Sequence, residues 1–303
     1  MSVEADSEGS PADPGAALVR DLPPVARPGG RSLALCEVGD PTGRPVVYFH
    51  GTGSSRLEAA LYDEAARARG VRMLCWDRPG AGGSPAQPGR TMRDVVDDTR
   101  AVLDALGTGR VGVVGLSGGG SHVLVLAASA PDLVRHAVVV NAGPPAEPDV
   151  LALLPSSVSG PMRLARSRPR LFRGLAGLTQ RRGTDVLGRV AEAVRRRGLD
   201  PTDAEVLERP EVRRVLEAAA EEGARQPGAW TDEALVVWGA PWGVGLDAFA
   251  VPLDVFVGTE DPFRRYGESL TRAGAQLHVF PGGHVSGCVP AVLDHVVSVA
   301  ARG

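Results

Sequence analysis

The chain contains no lysine: all 33 of its basic side chains are arginines, which excludes Schiff-base chemistry and a lysine general base. Cysteine is scarce as well, and the three present are odd in number and far apart, so neither a disulfide framework nor a zinc site is predicted. No apolar run approaches the roughly 18 residues that a membrane span needs. The N-terminal residues lack the basic and apolar regions of a signal peptide. These absences predict a cytoplasmic protein without a membrane partner.

A strong excess of charge of either sign is also missing. The net charge of -3 argues against nucleic acid as the main partner. A length of 303 residues, of which 43% are hydrophobic, suits one large α/β domain or two smaller ones with a sizeable core. A small molecule is therefore the expected partner, while the sequence does not define an oligomeric state.

Short apolar segments alternate with helical patterns along most of the chain. This alternation predicts a mainly parallel sheet with helices on both faces, whose ligand site lies at the carboxyl ends of the strands. The strands are predicted at 16–22, 32–38, 46–49, 71–76, the first half of 111–121, 137–141, 252–258 and 276–280.

The pattern changes between residues 144 and 238, where strand signals disappear and short helical segments are separated by prolines and glycines. We therefore predict a disordered tail at 1–14, a core formed by 15–143 and 239–303, and a helical cap inserted at 144–238. Residues 162–197 are rich in arginine and 200–233 are predominantly acidic. The arginines could bind an anionic substrate, but a solvated face that partly pairs with the acidic half is the favoured interpretation.

Residues 115–119 read Gly-Leu-Ser-Gly-Gly and lie between an apolar strand and a helix-compatible run. This spacing fits a nucleophile elbow, in which a serine occupies a strained strand-to-helix turn and small neighbours allow close approach. Ser117 is the candidate nucleophile. The positive end of the following helix suits a developing oxyanion.

A nucleophilic serine needs a base, and the base needs an orienting group. His284 follows the last predicted strand and is the candidate base. Two carboxylates, Glu260 and Asp261, follow the preceding strand and are the candidate acids. The remaining five histidines are predicted elsewhere. In chain order they lie in the loop after the third strand, in the helix after the serine, in two strands and in the last helix: His50, His122, His136, His278 and His295.

Five motifs occur in an order that resembles the α/β-hydrolase fold superfamily: nucleophile, acid, then base. The resemblance implies an α/β-hydrolase fold, with an eight-stranded, mainly parallel sheet, helices on both faces and an inserted helical cap. A finer likeness to a group of actinobacterial hydrolases rests on His-Gly-Thr, Ser-Arg-Leu, Asp-Arg-Pro-Gly and Pro-Trp-Gly. The five motifs are His50-Gly51, 77–80 (Asp-Arg-Pro-Gly), 115–119, Asp261-Pro262 and Gly283-His284.

The resemblance also assigns roles. It favours Asp261 over Glu260, because the family places its acid just before a proline. It implies that the backbone N–H groups of Thr52 and Gly118 hold the oxyanion. A serine at 117, rather than an aspartate, argues against a dehalogenase or epoxide-hydrolase mechanism. No cofactor and no metal are implied.

Three tryptophans lie near the junction of the predicted cap and core, where they could line a substrate pocket or pack in the core: Trp230, Trp238 and Trp242. The favoured function is a serine hydrolase that cleaves an ester, thioester or related acyl bond of a small, largely apolar molecule. A lyase or cyclase of polyketide-like specialised metabolism, with His284 as acid and base, is the alternative. A non-catalytic ligand-binding protein is disfavoured because it needs no triad.

Overall fold

The computed structural model describes residues 18–180 and 201–302, and eight β-strands lie in these ranges. The predicted tail at 1–14 and the arginine-rich residues 181–197 fall outside the described residues. The strands are β1 (Arg20–Arg27), β2 (Arg31–Gly39), β3 (Arg44–Phe49), β4 (Val71–Trp76), β5 (Val111–Leu116), β6 (Val134–Val140), β7 (Leu253–Gly258) and β8 (Gln276–Phe280).

The eight strands form one sheet in the order β1-β2-β4-β3-β5-β6-β7-β8. The pairs β1–β2 and β2–β4 are antiparallel, and all later neighbours are parallel. The predicted mainly parallel, eight-stranded sheet is therefore confirmed. Central strands of this kind are covered on both faces, which is why β5 is an unbroken apolar and glycine run with every residue buried.

Helices cover both faces of the sheet, as predicted. Val113 of β5 packs in the same cluster as Val102 and Leu124, whereas Val114 packs with Val296 on the opposite face. Alternate residues of a strand point to opposite faces, so one strand serves two cores. The α-helices among the described residues are α1 (Asp63–Ala68), α2 (Asp94–Ala105), α3 (Gly118–Ser129), α4 (Pro148–Leu151), α5 (Ser156–Ser167), α6 (Pro169–Gln180), α7 (Pro201–Glu208), α8 (Pro210–Gly223), α9 (Ala229–Trp238), α10 (Arg264–Ser269) and α11 (Pro290–Ala300).

The first strand differs from the prediction of 16–22. β1 begins at Arg20 and continues to Arg27, because it follows its antiparallel partner β2 from Glu37 back to Arg31. The pairing register shifts between Leu22 and Val25, where two prolines lack the N–H that a regular ladder requires. The tertiary pairing, which local sequence does not encode, sets this boundary.

Between β6 and β7 the described residues form helices and loops without strands, and we refer to α4–α9 as the helical insertion. Arg173 of α6, in its basic half, pairs with Asp232 of α9, in its acidic half. Arg166 of α5 donates instead to Glu147, 3.0 Å away, just before α4. Within residues 18–180 and 201–302, no helix has the length and apolar character that crossing a bilayer would require.

The turn from β5 to α3 brings two backbones into direct contact. Ser117 connects the strand and the helix with φ 53° and ψ −120°, an uncommon conformation for a residue with a side chain. A Cβ on Gly119 would lie 1.9 Å from the carbonyl oxygen of Phe49, and one on Gly115 would lie 2.4 Å from the oxygen of Gly119. Glycine is therefore sterically required at both positions.

We predict that Gly119→Ala lowers the free energy of unfolding by about 3 kcal/mol, because the added methyl meets main chain that cannot rotate away. The matched control is Gly109→Ala, at an exposed loop position with no atom within 4 Å of the added Cβ, which should change stability by less than about 0.5 kcal/mol. Urea denaturation of both variants measures the difference. Equal stability of the two variants would contradict the close contact.

Candidate active site

Three side chains predicted to act together meet at the carboxyl edge of the sheet. Ser117 follows β5, Asp261 follows β7, and His284 follows β8. The Oγ of Ser117 lies 2.9 Å from Nε2 of His284, and Nδ1 of the same ring lies 2.5 Å from Oδ2 of Asp261. The carboxylate favours a proton on Nδ1, which leaves Nε2 free to accept the serine proton. Glu260, the other candidate acid, is exposed and forms no bond to this ring.

The surroundings of His284 favour its protonated form. Burial of the ring opposes protonation, but the carboxylates of Asp261, Asp203 and Glu58 outweigh it and raise the pKa of His284 above its usual value. Asp261 is in turn fixed by the amide of Phe263, which donates to Oδ1 at 2.6 Å. The base is therefore oriented and its imidazolium form is stabilised.

The two amides predicted to hold an oxyanion lie side by side. A Cβ on Gly118 would be 3.2 Å from the backbone nitrogen of Thr52, so the loop after β3 touches the start of α3. Among the described residues, neither amide donates to a backbone acceptor. Two unpaired N–H groups beside Ser117, one of them at a helix N-terminus, can stabilise negative charge on a bound oxygen.

Buried side chains fix the loop that carries Thr52. Glu58 accepts a hydrogen bond of 2.8 Å from the amide of Gly51. Arg78 donates to the carbonyl oxygens of His50 and Gly51 at 2.7 and 3.1 Å. The loop is thus held through its own N–H and C=O groups, which keeps the Thr52 amide in place before any ligand binds.

Arg78 depends on a carboxylate from the helical insertion. Glu233 of α9 accepts from Nε of Arg78 at 2.8 Å and also pairs with Arg90, and all three side chains are buried. Burial disfavours the charge on Glu233, but the two arginines overcome this effect and hold its pKa below its usual value. The Arg78–Glu233 pair links α9 to the loop that carries Thr52. Sequence analysis did not identify it, because the partners are 155 residues apart.

The histidine of α3 is part of the same buried region and does not reach Ser117. Its Nδ1 lies 2.9 Å from the carbonyl oxygen of Gly118, and its Nε2 lies 3.6 Å from Glu233. Burial, together with the charge of Arg78, lowers the pKa of His122 to about 3, so the ring is neutral near pH 7. His122 thus supports the turn structurally through the carbonyl oxygen of Gly118.

Asn141, directly after β6, was predicted only as a strand end. It has φ 46°, and its side chain connects the two loops that carry the acid and the base. Oδ1 accepts from the amide of Gly258 at 2.9 Å, and Nδ2 donates to the carbonyl oxygen of His284 at 2.8 Å. The sequence shows only that a polar residue follows this strand at the carboxyl edge of the sheet. It does not show the partners of Asn141, which are 117 and 143 residues away.

A second carboxylate of the insertion holds the loop after the base. Oδ1 of Asp203, on α7, accepts from the amides of Val285 and Ser286 at 3.0 and 2.9 Å. It also accepts from Oγ of Ser286 at 2.8 Å. These amides begin a short 3-10 helix, Val285–Cys288, and Asp203 supplies the acceptor that the helix start lacks. Sequence analysis did not identify this residue either.

A cavity of about 360 Å³ opens beside Ser117 and His284. Trp230 and Trp238 line it, with ring centroids 6.3 Å apart. Trp242 does not: it is buried in the core, where its Nε1 donates to the carbonyl oxygen of Val237 at 2.7 Å. The lining residues are Thr52, Ser117, Gly118, Gly143, Asp203, Trp230, Val237, Trp238, Glu260, Pro262, Phe263, His284 and Val285.

The remaining histidines and Cys288 are not available for catalysis at Ser117. Nε2 of His136 and of His278 each lie within 2.6 Å of the carboxylate of Asp254, and His295 packs edge-on against His278.

Burial raises the pKa of the Cys288 thiol well above its usual value, so the thiol stays protonated. In the described ranges, no three His, Cys, Asp or Glu side chains are grouped to hold a metal ion.

Comparison with known proteins matches part of the chain to a family model. The profile of the alpha/beta hydrolase fold matches residues 44–174. An sn-1-specific diacylglycerol lipase of Mus musculus is 33% identical over 107 residues, which is 35% of this chain and 35% of the lipase. The chain thus spans about a third of the length of the curated relatives that it matches.

Solved structures resemble nearly the whole chain. A hydrolase from Pseudomonas aeruginosa has a TM-score of 0.69 at 21% identity, with 95% of this chain and 100% of that chain covered. An enol-lactonase from Burkholderia xenovorans has a TM-score of 0.67 at 21% identity, with coverage of 92% and 100%. At this identity the likeness concerns the fold. The sheet order, the strained serine turn and these matches together lead to one conclusion: the chain has the α/β-hydrolase fold.

Proposed function

We propose that the protein is a serine hydrolase that cleaves an ester, thioester or related acyl bond through Ser117, His284 and Asp261. The observation that carries the proposal is the continuous hydrogen-bonded chain from Oγ of Ser117 to the buried Asp261, with links of 2.9 and 2.5 Å. The partial match to a relative named as a diacylglycerol lipase supports a hydrolase.

In the first half-reaction, Nε2 of His284 takes the proton of Ser117 as Oγ attacks the acyl carbon. The carbonyl oxygen gains negative charge, which the amides of Thr52 and Gly118 stabilise. The imidazolium is stabilised by Asp261. His284 then gives its proton to the leaving alcohol or thiol as the bond to the acyl carbon breaks, which leaves the acyl group on Ser117.

In the second half-reaction, water replaces the departed group. His284 removes one proton from the water, and the resulting hydroxide adds to the acyl carbon. The same amides hold the oxyanion until the bond to Oγ breaks. His284 returns its proton to Ser117, so the free enzyme and a carboxylic acid are regenerated.

The cavity favours a small, largely apolar acyl compound, because tryptophan, phenylalanine, valine and proline supply six of its thirteen described lining residues. Among the described residues, no arginine lines it. The arginines that the structure describes in residues 162–180 therefore give no support for an anionic substrate.

We expect Ser117→Ala and His284→Ala to lose comparable activity, and the double variant to be scarcely slower, because residues that act as one unit are non-additive. The measurement is turnover of a p-nitrophenyl ester, or of the natural substrate once known. In lyase or cyclase chemistry only His284 is indispensable. Retention of more than about a tenth of the rate by Ser117→Ala would exclude an acyl-enzyme and favour that alternative.

A fluorophosphonate probe gives the control for folding and for the nucleophile. It should label wild-type protein at Ser117, as mapped by peptide mass spectrometry, and should fail to label Ser117→Ala. A folded wild-type sample that does not react would argue against an activated serine.

Asp261→Asn should lose most activity, by about ten-thousandfold, since an amide favours the wrong imidazole tautomer. Glu260→Gln is the matched control at the adjacent position, where the side chain is exposed and not bonded to His284. Steady-state kinetics on one ester distinguish the two, and the reverse ranking would show that Glu260 is the acid.

The pH profile follows from the raised pKa of His284. The ring must be neutral to accept the serine proton, so kcat/KM should rise with pH, with a midpoint above the usual histidine value of about 6.5. In Asp261→Asn the residual activity should have its midpoint at lower pH, because a carboxylate that favours the imidazolium is gone. A wild-type midpoint well below 6.5 would contradict this electrostatic arrangement.

A further inference from the structure

Asp203 is a buried carboxylate in the wall of the cavity, only 4% exposed, and it is not one of the three residues of the catalytic chain. Its two oxygens have different surroundings. Oδ1 accepts three hydrogen bonds from the loop of His284. Oδ2 accepts none from any described residue. Because the side chain lines the cavity, Oδ2 is the oxygen that a bound molecule can reach.

The position of this carboxylate is fixed rather than adaptable. The three bonds to Oδ1 fix one edge of the carboxylate against the 3-10 helix Val285–Cys288. A Cβ on Gly283 would lie 2.4 Å from Oδ2, so a glycine there leaves space for this oxygen. A charge held in this way needs little reorganisation when a ligand arrives.

Apart from His284, the described lining of the cavity holds no side chain that can carry a positive charge. Trp230, Trp238 and Phe263 are apolar neighbours in this part of the wall. The other carboxylates near the cavity are Asp261, which is bonded to His284, and the exposed Glu260. Oδ2 faces the cavity, so a donor on a bound molecule can pair with this oxygen in place of water.

We propose that Oδ2 of Asp203 selects the substrate by accepting a hydrogen bond from a protonated amine carried by the acyl or alcohol part of the ester. This inference rests on the hydrolase function proposed above and names its substrate class: a small amine-bearing ester.

A cation fits this site better than a neutral or anionic group. The hydrogen bond would be charge-assisted, which makes it stronger than one between neutral groups. The indole rings of Trp230 and Trp238 in the same wall also favour a cation at their faces. A carboxylate on the substrate would instead be repelled by Asp203 and by Glu260.

The test compares esters that differ only in a charged group, with acid release followed by pH-stat at pH 7.5. For the acyl side the pair is methyl 4-(dimethylamino)butanoate and its carbon isostere methyl 5-methylhexanoate. For the alcohol side it is 2-(dimethylamino)ethyl butanoate and 3-methylbutyl butanoate. In at least one pair, kcat/KM should favour the amine by about tenfold or more. Monomethyl glutarate, an anion of similar length, should be slower than methyl 5-methylhexanoate.

Asp203→Asn tests the residue, because an amide oxygen can keep the three bonds to the loop while the charge is lost. The ratio of amine to isostere should fall to about one in this variant. Glu205→Gln is the matched control: it removes the same charge from the same helix at an exposed position, and it should keep both the ratio and the basal activity.

The outcomes separate the inference from the proposed function. If the wild type cleaves the neutral esters but shows no preference for the amine in either pair, the inference is wrong and the hydrolase function stands. If Asp203→Asn slows both esters equally and keeps the ratio, Asp203 only holds the loop and the inference is wrong. If no ester is cleaved and the fluorophosphonate does not label Ser117, both proposals fail. If Asp203→Asn does not fold, the wild-type ratios decide.

Discussion

The close contact between β5 and α3 is the constraint on which the site depends. Because Gly119 lies directly against the carbonyl of Phe49, the chain must turn within one residue, and Ser117 takes the strained conformation of that turn. The same turn exposes Oγ at the carboxyl edge and leaves the Gly118 amide unpaired at a helix start. A side chain at Gly115 or Gly119 would displace Oγ of Ser117 and the amide of Gly118 together.

Two carboxylates of the helical insertion connect it to opposite sides of this turn. Glu233 holds Arg78, which donates to the loop that carries Thr52. Asp203 accepts hydrogen bonds from the loop that follows His284. Both are buried, so each interaction is made in a region of low dielectric, where loss of one partner leaves an uncompensated polar group. The packing of the insertion against the sheet therefore also fixes the loops that carry Thr52 and His284.

Much of the fold and the central part of the site could be predicted from the sequence. Buried parallel strands are continuous apolar runs, so 71–76 and 276–280 were predicted with the bounds of β4 and β8. The side chains of Ser117, Asp261 and His284 each follow such a strand, and the carboxyl ends of parallel strands share one edge, so their meeting could be expected. The N-terminal strand was misplaced because its pairing with β2, and not its own composition, sets its ends.

The order of strands and helices, the need for small residues around Ser117 and the chemical types available to the site follow from the sequence alone. These properties depend on residues that are close along the chain and on the periodicity of apolar positions. Long-range packing, by contrast, brings Asn141, Asp203 and Glu233 to the loops around Ser117 and His284. It also places Trp242 in the core and Trp230 and Trp238 in the cavity wall. Their partners lie far away along the chain. The residues next to a polar or aromatic side chain in the sequence do not predict which distant residues it will contact.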